Sequence, residues 1–210
     1  MKYTVIKHGC DQVTAGLSLL ALSPIVGAIL LFLKVATQEY PIFAQERVGQ
    51  HERIFTLYKI RTMYPPEVLA RLSWLPVFCR ALRQYSVDEI PQLWNVLKGD
   101  MSLIGPRPLL VEYLPLYNQT QRKRHRVKPG ITGWAQVHGR NSLDWSQRFT
   151  LDVWYVDHVS LQLDVEIILR TLVHLLHPQG VRPEGLSNEE RFRGNLTNSP
   201  CSVDATPSIE

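Results

Sequence analysis

Hydrophobic residues follow three different patterns along this chain, and each pattern predicts a different kind of element. Residues 12–33 are mostly apolar, which is typical of a helix in contact with lipid. Residues 41–63 include a stretch that alternates between two faces, as a strand of a hairpin does. Farther on, apolar residues recur every three or four positions in short stretches, which indicates amphipathic helices. We therefore expect an α+β fold, in which a membrane helix precedes a small, mostly helical domain with a short hairpin.

The segment 12–33 carries no charge and is long enough to cross a bilayer, at ~20 residues per crossing. A signal peptide fits poorly, because Lys34 follows directly and no clear A-x-A cleavage site is present. Pro24 cannot donate a hydrogen bond to the Leu20 carbonyl, although Ser23 can supply one to the freed backbone. Positive charge flanks both ends, at Lys2, Lys7 and Lys34. These features favour a re-entrant helix over residues 1–36 that breaks at Ser23 and Pro24, with a single spanning helix as the alternative.

The alternating residues 41–63 predict a hairpin whose polar turn runs from Gly49 to Glu52. Lys59 and Arg61 fall on a face that is half apolar. Their cations either extend along an edge of the sheet towards solvent or point into a polar site. The pattern alone favours the first interpretation.

Residues 82–108 contain the helix that carries the most chemistry. Pro91 suits a first helical turn, so the helix should begin near Ser86 to Asp88, and Gly99 can end it in a left-handed cap. Ser86 and Glu89 also have capping-box spacing. The apolar positions have helical spacing and predict a buried stripe of Ile90, Leu93, Trp94 and Leu97.

Asp88 and Glu89 are adjacent acids at the start of this helix. Acidic side chains at a helix N-terminus often do no more than complement its dipole, which stabilises by ~0.3–1 kcal/mol. The surrounding arginines favour another interpretation, since Arg83 precedes the acids and Arg107 follows between Pro106 and Pro108. Carboxylates, arginines and free backbone N–H groups together suit a phosphate held with a divalent metal.

The residues after this segment are strongly basic. Residues 111–128 predict an amphipathic piece that ends in Arg122, Lys123, Arg124, His125, Arg126 and Lys128. Such a run is usually solvated, but beside an apolar membrane segment it can also lie against anionic headgroups. It lacks the interleaved aromatic residues of single-strand nucleic-acid binding, so nucleic acid is a poor second choice.

The C-terminal part predicts a short strand at residues 134–137 and two further helices. Asn141 or Ser142 can cap the first helix, from Leu143 to about His158. Asp152 lies on an apolar face of this helix, and a lone buried charge is costly, so it should meet an arginine, a lysine or a metal. The last helix, at residues 161–176, is apolar enough to pack on the core or lie at the membrane interface. Residues 196–210 are expected to be a disordered tail.

Composition and charge indicate the size of the core and the kind of partner that the protein binds. The 210 residues are 45% hydrophobic and 20% charged, enough for one core and a small appendage. We therefore expect one globular domain, over residues 37–195. A net charge of +4 and a pI of about 9.0 indicate an anionic partner. The three cysteines have no metal-ligand spacing, which fits a reducing compartment and argues against structural zinc.

Several ordered motifs resemble those of the bacterial sugar transferases, the monotopic phosphoglycosyl transferases that move a phosphosugar from a UDP-sugar to a polyprenyl phosphate. The resemblance covers roughly residues 1–195 and is greatest to the small members that initiate glycan assembly for protein glycosylation. This chain is shorter than usual after Thr62-Met63 and has Cys79 where relatives usually have glycine. The matching pieces are Ser23-Pro24, Arg47-Val48-Gly49, the segments 58–63, 82–108 and 128–133, and Gly139-Arg140-Asn141.

The resemblance implies a mechanism and roles for named residues. Asp88 would attack the β-phosphorus of a UDP-sugar, UMP would leave, and polyprenyl phosphate would then attack the Asp88-phosphosugar intermediate. Glu89 would bind Mg2+, although residue spacing alone allows either acid in either role. The matching lysine is needed for activity in the family, which makes Lys59 a site candidate. The candidates for phosphate or nucleotide binding are Lys59, Arg83, Arg107 and Arg140, with Asp152 positioning one of them or the acceptor.

Two other interpretations stay open from the sequence. The same reaction could proceed by direct transfer, with Asp88 as a base or metal ligand. Alternatively, the chain could be a non-catalytic scaffold attached to the membrane, whose basic surface binds lipid or downstream glycosyltransferases. The favoured enzyme would sit on the bacterial inner membrane, with its catalytic domain in the cytoplasm. The sequence does not identify the sugar, but the resemblance to the small family members implies an N-acetylated one.

Overall fold

The computed structural model describes residues 2–139 and 143–176, together with Phe192 and Gly194. This part of the chain is mostly helical and contains two small two-stranded sheets, in agreement with the predicted α+β class. Arg140 and the tail 196–210 lie outside the described residues.

The N-terminal helix α1 (Lys2–Thr37) is the longest element. The Ser23 hydroxyl donates to the Leu20 carbonyl at 2.9 Å, which satisfies the acceptor that Pro24 cannot reach, as predicted. The predicted break at Ser23 and Pro24 is not seen, because α1 is continuous through both residues. The local hydroxyl bond lets the helix pass the proline without leaving that carbonyl unpaired.

Both ends of α1 pack against the rest of the molecule, whereas its middle does not. Ala15 is fully buried towards the first end and Leu33 towards the second. Between them, Leu20 is 74% exposed and Ile25 is 59% exposed. A Cβ atom added at Gly27 would meet nothing within 4 Å. The apolar middle of α1 is thus exposed and does not pack against the rest of the described protein.

A buried polar cluster fixes the first end of α1. The Lys7 ammonium lies 2.9 Å from the Asp164 carboxylate, and the Tyr155 hydroxyl donates to Asp164 at 2.8 Å. The Ser102 hydroxyl donates to Asp11 in the same region. Buried ion pairs favour one arrangement of their elements because breaking them leaves a desolvated charge. Sequence patterns do not predict this cluster, since Lys7 and Asp164 are more than 150 positions apart.

The predicted hairpin is confirmed. Strand β1 (Ile42–Val48) pairs antiparallel with β2 (Ile54–Ile60), with Val48 opposite Ile54 beside the turn. Two short helices follow, α2 (Pro66–Arg71) and α3 (Leu75–Gln84). They enclose the second end of α1 in a core of Leu33, Ile60, Tyr64, Leu75, Cys79 and Leu82.

The segment expected to be one helix is divided into a 3-10 turn (Val87–Glu89) and α4 (Gln92–Lys98). The predicted capping box is wrong, because Ser86 has a left-handed backbone (φ 56°) and its side chain caps no backbone group. Gly99 ends α4 with φ 88°, as expected. The predicted buried stripe is also wrong in part. Trp94 is half exposed, and the buried face of α4 carries Gln92, Asn95 and Val96.

Two three-residue strands hold the loop that carries Arg107. Strand β3 (Ser102–Ile104) pairs parallel with β4 (Gly130–Thr132). Gly105 and Gly130 allow this approach, since a Cβ atom on Gly130 would lie only 2.1 Å from the Gly105 nitrogen. The strand predicted at residues 134–137 is instead helix α6 (Trp134–Gly139), and β4 ends before it.

The remaining described elements are helical. Residues 111–126 form the 3-10 turns Val111–Leu116 and Lys123–Arg126 around α5 (Gln119–Arg122). The predicted cap of the next helix is wrong: α7 (Trp145–Asp157) is capped by Asp144, whose carboxylate accepts from the Gln147 backbone. Asn141 and Ser142 lie outside the described residues. Helix α8 (Leu161–Leu176) has the predicted bounds.

Candidate active site

The adjacent acids lie where three elements meet. Asp88 and Glu89 occupy the 3-10 turn between α3 and α4, and this turn packs against β2. Ser86, immediately before them, has a left-handed backbone (φ 56°). Asp88 is only 7% exposed. The turn therefore presents two carboxylates to a sheltered site rather than to bulk solvent.

Glu89 is held between two cations. Its Oε1 atom accepts from the Lys59 ammonium at 2.6 Å and from the Arg107 guanidinium at 2.8 Å. Burial raises the pKa of the Glu89 carboxyl, but Arg107 and Lys59 outweigh that effect and lower it to about 2. Glu89 is consequently ionised at any physiological pH. Lys59 points into this polar site, so the interpretation as a cation at the sheet edge is wrong.

Asp88 is in the opposite electrostatic situation. Burial and the neighbouring Glu89 charge raise its pKa to about 6, although Lys59 and Arg107 partly oppose the shift. Two adjacent carboxylates with pKa values pushed apart are typical of sites in which the two acids have different tasks. At pH 7 most Asp88 is still ionised, and a poorly solvated carboxylate is a good nucleophile.

A buried ion pair holds the backbone of Arg107. Arg124 is 2% exposed, and its Nη2 atom donates to the Arg107 carbonyl at 2.8 Å and to Asp152 at 2.6 Å. Burial raises the pKa of the Asp152 carboxyl, and the Arg124 charge opposes that shift. The expectation that Asp152 meets a cation is confirmed. The pair connects helix α7 to the loop that carries Arg107.

This pair corrects the interpretation of the basic run. Arg124 and His125 are buried, and Arg122 makes an ion pair of 2.7 Å with Glu52. The run is thus not uniformly a solvated face or a lipid-binding patch. One signal in the sequence pointed this way: Asp152 on an apolar helix face required a buried cation, but several neighbouring arginines were equally plausible partners.

Asn95 supports the site from behind α4 through backbone contacts to β2, and sequence reasoning missed it. Its fully buried amide accepts from the Tyr58 backbone N–H at 3.2 Å and donates to the Thr56 carbonyl at 2.7 Å. These bonds tie α4 to the strand that carries Lys59. A polar residue on an apolar helix face was the available signal.

The remaining predicted site residues do not all lie beside the two acids. Arg83 donates to the Thr62 carbonyl at 2.7 Å, so one guanidinium nitrogen binds the backbone. Pro106 and Pro108 flank Arg107 and line a small pocket beside it. Arg140 lies outside the described residues. Ser23 and Pro24 lie on the exposed middle of α1, and neither contacts the acids.

The donor set is suited to a hard divalent cation that shares its coordination with a phosphorylated ligand. In the described part of the chain, no three histidine, cysteine or acidic side chains converge on one point. Magnesium ions commonly use only one or two protein carboxylates and complete their shell with water and substrate phosphate. Asp88 and Glu89 fit that requirement, because both contacts to Glu89 fall on Oε1 and leave Oε2 without a described ion pair.

Comparison with known proteins gives a consistent result. The profile of a family described as bacterial sugar transferase matches residues 2–178. The uncharacterized sugar transferase EpsL of Bacillus subtilis is 45% identical over 201 residues, which cover 91% of this chain and 97% of that protein. The undecaprenyl-phosphate galactose phosphotransferase of Salmonella typhimurium is 36% identical over 83% of this chain. An Aeromonas hydrophila protein named as a UDP-N-acetylgalactosamine-undecaprenyl-phosphate N-acetylgalactosaminephosphotransferase is also 36% identical, over 86% of this chain. The chain spans only 41% and 46% of these last two relatives.

Proposed function

Because this chain belongs to the bacterial sugar transferase family, we propose that it transfers a phosphosugar from a UDP-sugar to undecaprenyl phosphate. The observation that carries the proposal is the pairing of a buried carboxylate, Asp88, with a second carboxylate held by Lys59 and Arg107. Such a site can receive a diphosphate and place its phosphorus beside a nucleophile. The names of two relatives, which specify undecaprenyl-phosphate sugar phosphotransferases, support the same reaction.

In the first step, a carboxylate oxygen of Asp88 attacks the β-phosphorus of the UDP-sugar. A new P–O bond to Asp88 forms, the bond from the β-phosphorus to the bridging oxygen breaks, and UMP leaves with that electron pair. Lys59 and Arg107, which both contact Glu89, would stabilise negative charge as it develops on the transferring group. A bound Mg2+ would be held by Glu89 and would supply further charge neutralisation.

In the second step, a phosphate oxygen of undecaprenyl phosphate attacks the same phosphorus. The acyl phosphate bond breaks, the Asp88 carboxylate is regenerated, and the product is undecaprenyl-diphosphate-sugar. Arg124 and Asp152 contact neither acid, and they act by holding the loop of Arg107. The reaction would be the first membrane step of glycoconjugate assembly, including assembly for protein glycosylation, and it would supply downstream glycosyltransferases.

The proposed topology is monotopic on the cytoplasmic face of the inner membrane. In the described part of the chain, α1 is the one helix long and apolar enough to cross a bilayer. However, both of its ends pack on one folded domain, through Lys7 at one end and Leu33 at the other. A helix that crossed the membrane would place one of these contacts on the far side. A re-entrant α1 that bends at Pro24 while staying helical, with its exposed middle in a single leaflet, would accommodate both contacts.

Helix α8 is proposed to lie in the membrane interface. Its buried side carries Leu163, Asp164 and Ile167, so α8 is anchored to the domain by one face. The opposite face exposes large apolar side chains, which is typical of interfacial helices. These exposed residues are Leu161, Val165, Ile168, Leu169, Leu172, Val173 and Leu176.

The direct test is release of UMP from UDP-sugars by purified protein with undecaprenyl phosphate and Mg2+. A panel of UDP-sugars would identify the donor, and we expect an N-acetylated sugar to react fastest. Asp88→Asn should abolish turnover. Asp157→Asn is the matched control, because Asp157 is exposed on α7, and it should retain full activity. Absence of UMP release with every donor would contradict the proposal.

A further inference from the structure

The first strand of the hairpin places an aromatic side chain beside the candidate active site. In the register of β1 and β2, Phe43 lies directly opposite Lys59. Residues directly opposite each other in an antiparallel pair point to the same face of the sheet, with Cβ atoms ~4.5–5.5 Å apart. The Lys59 ammonium lies 2.6 Å from the Glu89 carboxylate. Phe43 is therefore a near neighbour of a cation that contacts the acidic pair.

The Phe43 ring is not covered by the described protein. It is 40% exposed, although the face of the sheet that carries it also carries the buried Leu57. The other face of the hairpin is the one that places Ile60 in the core around the second end of α1. An exposed apolar ring is stabilised when a ligand covers its surface and removes it from water. Phe43 is thus suited to contact an apolar part of a ligand whose charged part lies at Lys59.

This ring is also close to the second end of α1. Lys34 directly follows the apolar run of α1, and its ammonium lies 5.2 Å from the centroid of the Tyr40 ring. Tyr40 is mostly exposed, and the three-residue step from Tyr40 to Phe43 spans at most ~11 Å. Leu33 and Ile60 belong to one core cluster, so this end of α1 packs beside the end of the hairpin that carries Phe43. In the proposed topology, Phe43 therefore lies between the membrane boundary and the acids.

The charges in this region suit an anionic group that arrives from the membrane. The one acid in the sequence between Lys34 and Phe43 is Glu39, and the Arg61 guanidinium lies 3.8 Å from it. Lys59 marks the far end of the route, beside the acids. A ligand with its apolar part in the bilayer near Lys34 and its anionic end at Lys59 would pass over Phe43.

The acceptor of the proposed reaction has this chemistry, because its chain is apolar and its phosphate must reach Asp88. Resting on the function proposed above, we infer that Phe43 binds the isoprene units next to the phosphate of undecaprenyl phosphate. An exposed aromatic ring can also stack on a nucleobase. The position of Phe43 beside the end of α1 favours the lipid, since the water-soluble UDP-sugar does not have to approach from the membrane. Phe43 is in this account an acceptor-binding residue that takes no part in the chemical steps.

The test compares the KM values for the two substrates with purified full-length protein. Phe43→Ala should raise the KM for undecaprenyl phosphate about 10-fold, because the apolar contact with the ring is lost, and should leave the KM for the UDP-sugar unchanged. Phe43→Leu keeps an apolar side chain and should stay within about threefold of wild type. Phe43→Gln is polar and should behave like Phe43→Ala, which keeps the test decisive if one of these two variants does not fold.

Two controls separate acceptor binding from other effects. Ile54→Ala removes an exposed apolar side chain at the other end of the same hairpin, opposite Val48, and should leave both KM values unchanged. Flotation of the Phe43 variants with vesicles of phosphatidylglycerol and phosphatidylethanolamine should equal that of wild type, because α1 still provides the membrane contact.

Three results would overturn the inference. The first is an unchanged KM for undecaprenyl phosphate in a folded Phe43→Ala or Phe43→Gln variant. The second is a raised KM for the UDP-sugar with Phe43→Leu as impaired as Phe43→Ala, which would assign the ring to the nucleobase. The third is a loss of flotation that accounts for the whole loss of rate, which would assign Phe43 to membrane attachment. Each requires an active wild-type enzyme, so all three differ from failure of the proposed function, in which no donor releases UMP.

Discussion

The Arg124 guanidinium lies 2.6 Å from the Asp152 carboxylate, and the same nitrogen donates to the Arg107 carbonyl at 2.8 Å. One buried ion pair thereby connects helix α7 to the loop of Arg107, and the Arg107 side chain holds Glu89. Neither Arg124 nor Asp152 contacts the acids. Their importance for activity would come from the position they impose on Arg107.

Asp152→Asn tests this connection. The substitution leaves the Arg124 charge buried without compensation, so unfolding free energy should fall by ~3–5 kcal/mol in chemical denaturation. Turnover should fall as well, because Arg107 loses its support. Replacing the ion pair by the apolar pair Asp152→Leu and Arg124→Met should recover much of the stability but not the activity. Recovery of both would mean that the pair does not position Arg107.

Glu89→Gln tests the second acid. The pKa of Glu89 falls from its ordinary 4.5 to about 2, so its ion pairs contribute stability above pH 4.5, and this is lost as pH falls towards 2. The amide keeps the shape but releases Lys59 and Arg107. Activity should fall steeply, and raised Mg2+ should restore little of it. Glu46→Gln, at an exposed position on β1, is the control. An active Glu89→Gln enzyme with unchanged Mg2+ dependence would remove Glu89 from the proposed metal shell.

Asp88 should produce two opposite pH effects. Its pKa rises from 3.8 to about 6 on folding, so the folded protein binds the proton more tightly, and stability falls as pH rises between these values. Asp88→Asn should therefore be more stable than wild type at pH 7, and the difference should vanish below about pH 4. The rate of the first step should instead rise with pH through about 6, as the carboxylate ionises. Thermal unfolding and initial rates from pH 4 to 8 measure both. A variant less stable than wild type at pH 7 would contradict this account of Asp88.

Topology can be tested by labelling single cysteines. With Cys10 and Cys201 replaced, cysteines introduced at Lys2 and Lys34 should both react only with reagents that reach the cytoplasm. Replacing Ser23 by leucine and Pro24 by alanine removes the proline and should favour a spanning helix. Labelling of one wild-type end only from outside the cell would show that α1 crosses the membrane.

Local patterns predicted some elements well. The alternation around residues 54–60 predicted the hairpin, and helical spacing predicted α8, because each pattern reflects one buried face. The strand prediction at residues 134–137 is wrong, since a short apolar run does not distinguish a strand from a helix. The prediction of a buried apolar stripe on α4 is wrong in part, because the helix packs through the polar Asn95, which forms hydrogen bonds with a neighbouring strand. Hydrophobic pattern does not predict a polar contact of this kind.

The candidate site shows the same limit. Asp88, Glu89 and Arg107 were found because they are close in sequence, and Lys59 was added through a family resemblance. Arg124 was hidden in a basic run in which burial cannot be read from composition. The cluster around Asp164 depends on residues from both ends of the chain, and single-sequence patterns carry no information on such pairings.

The central claim is that Asp88 becomes covalently attached to the phosphosugar. The direct measurement is rapid-quench mass spectrometry of enzyme mixed with UDP-sugar and Mg2+, without any polyprenyl phosphate. The protein should gain the mass of one phosphosugar on the peptide that contains Asp88, and UMP should be released in an amount no greater than the enzyme present, aside from slow hydrolysis. Asp88→Asn should show no adduct, while Asp157→Asn should label fully. An active enzyme that carries no adduct, and that releases UMP only when undecaprenyl phosphate is added, would contradict the covalent mechanism and favour direct transfer.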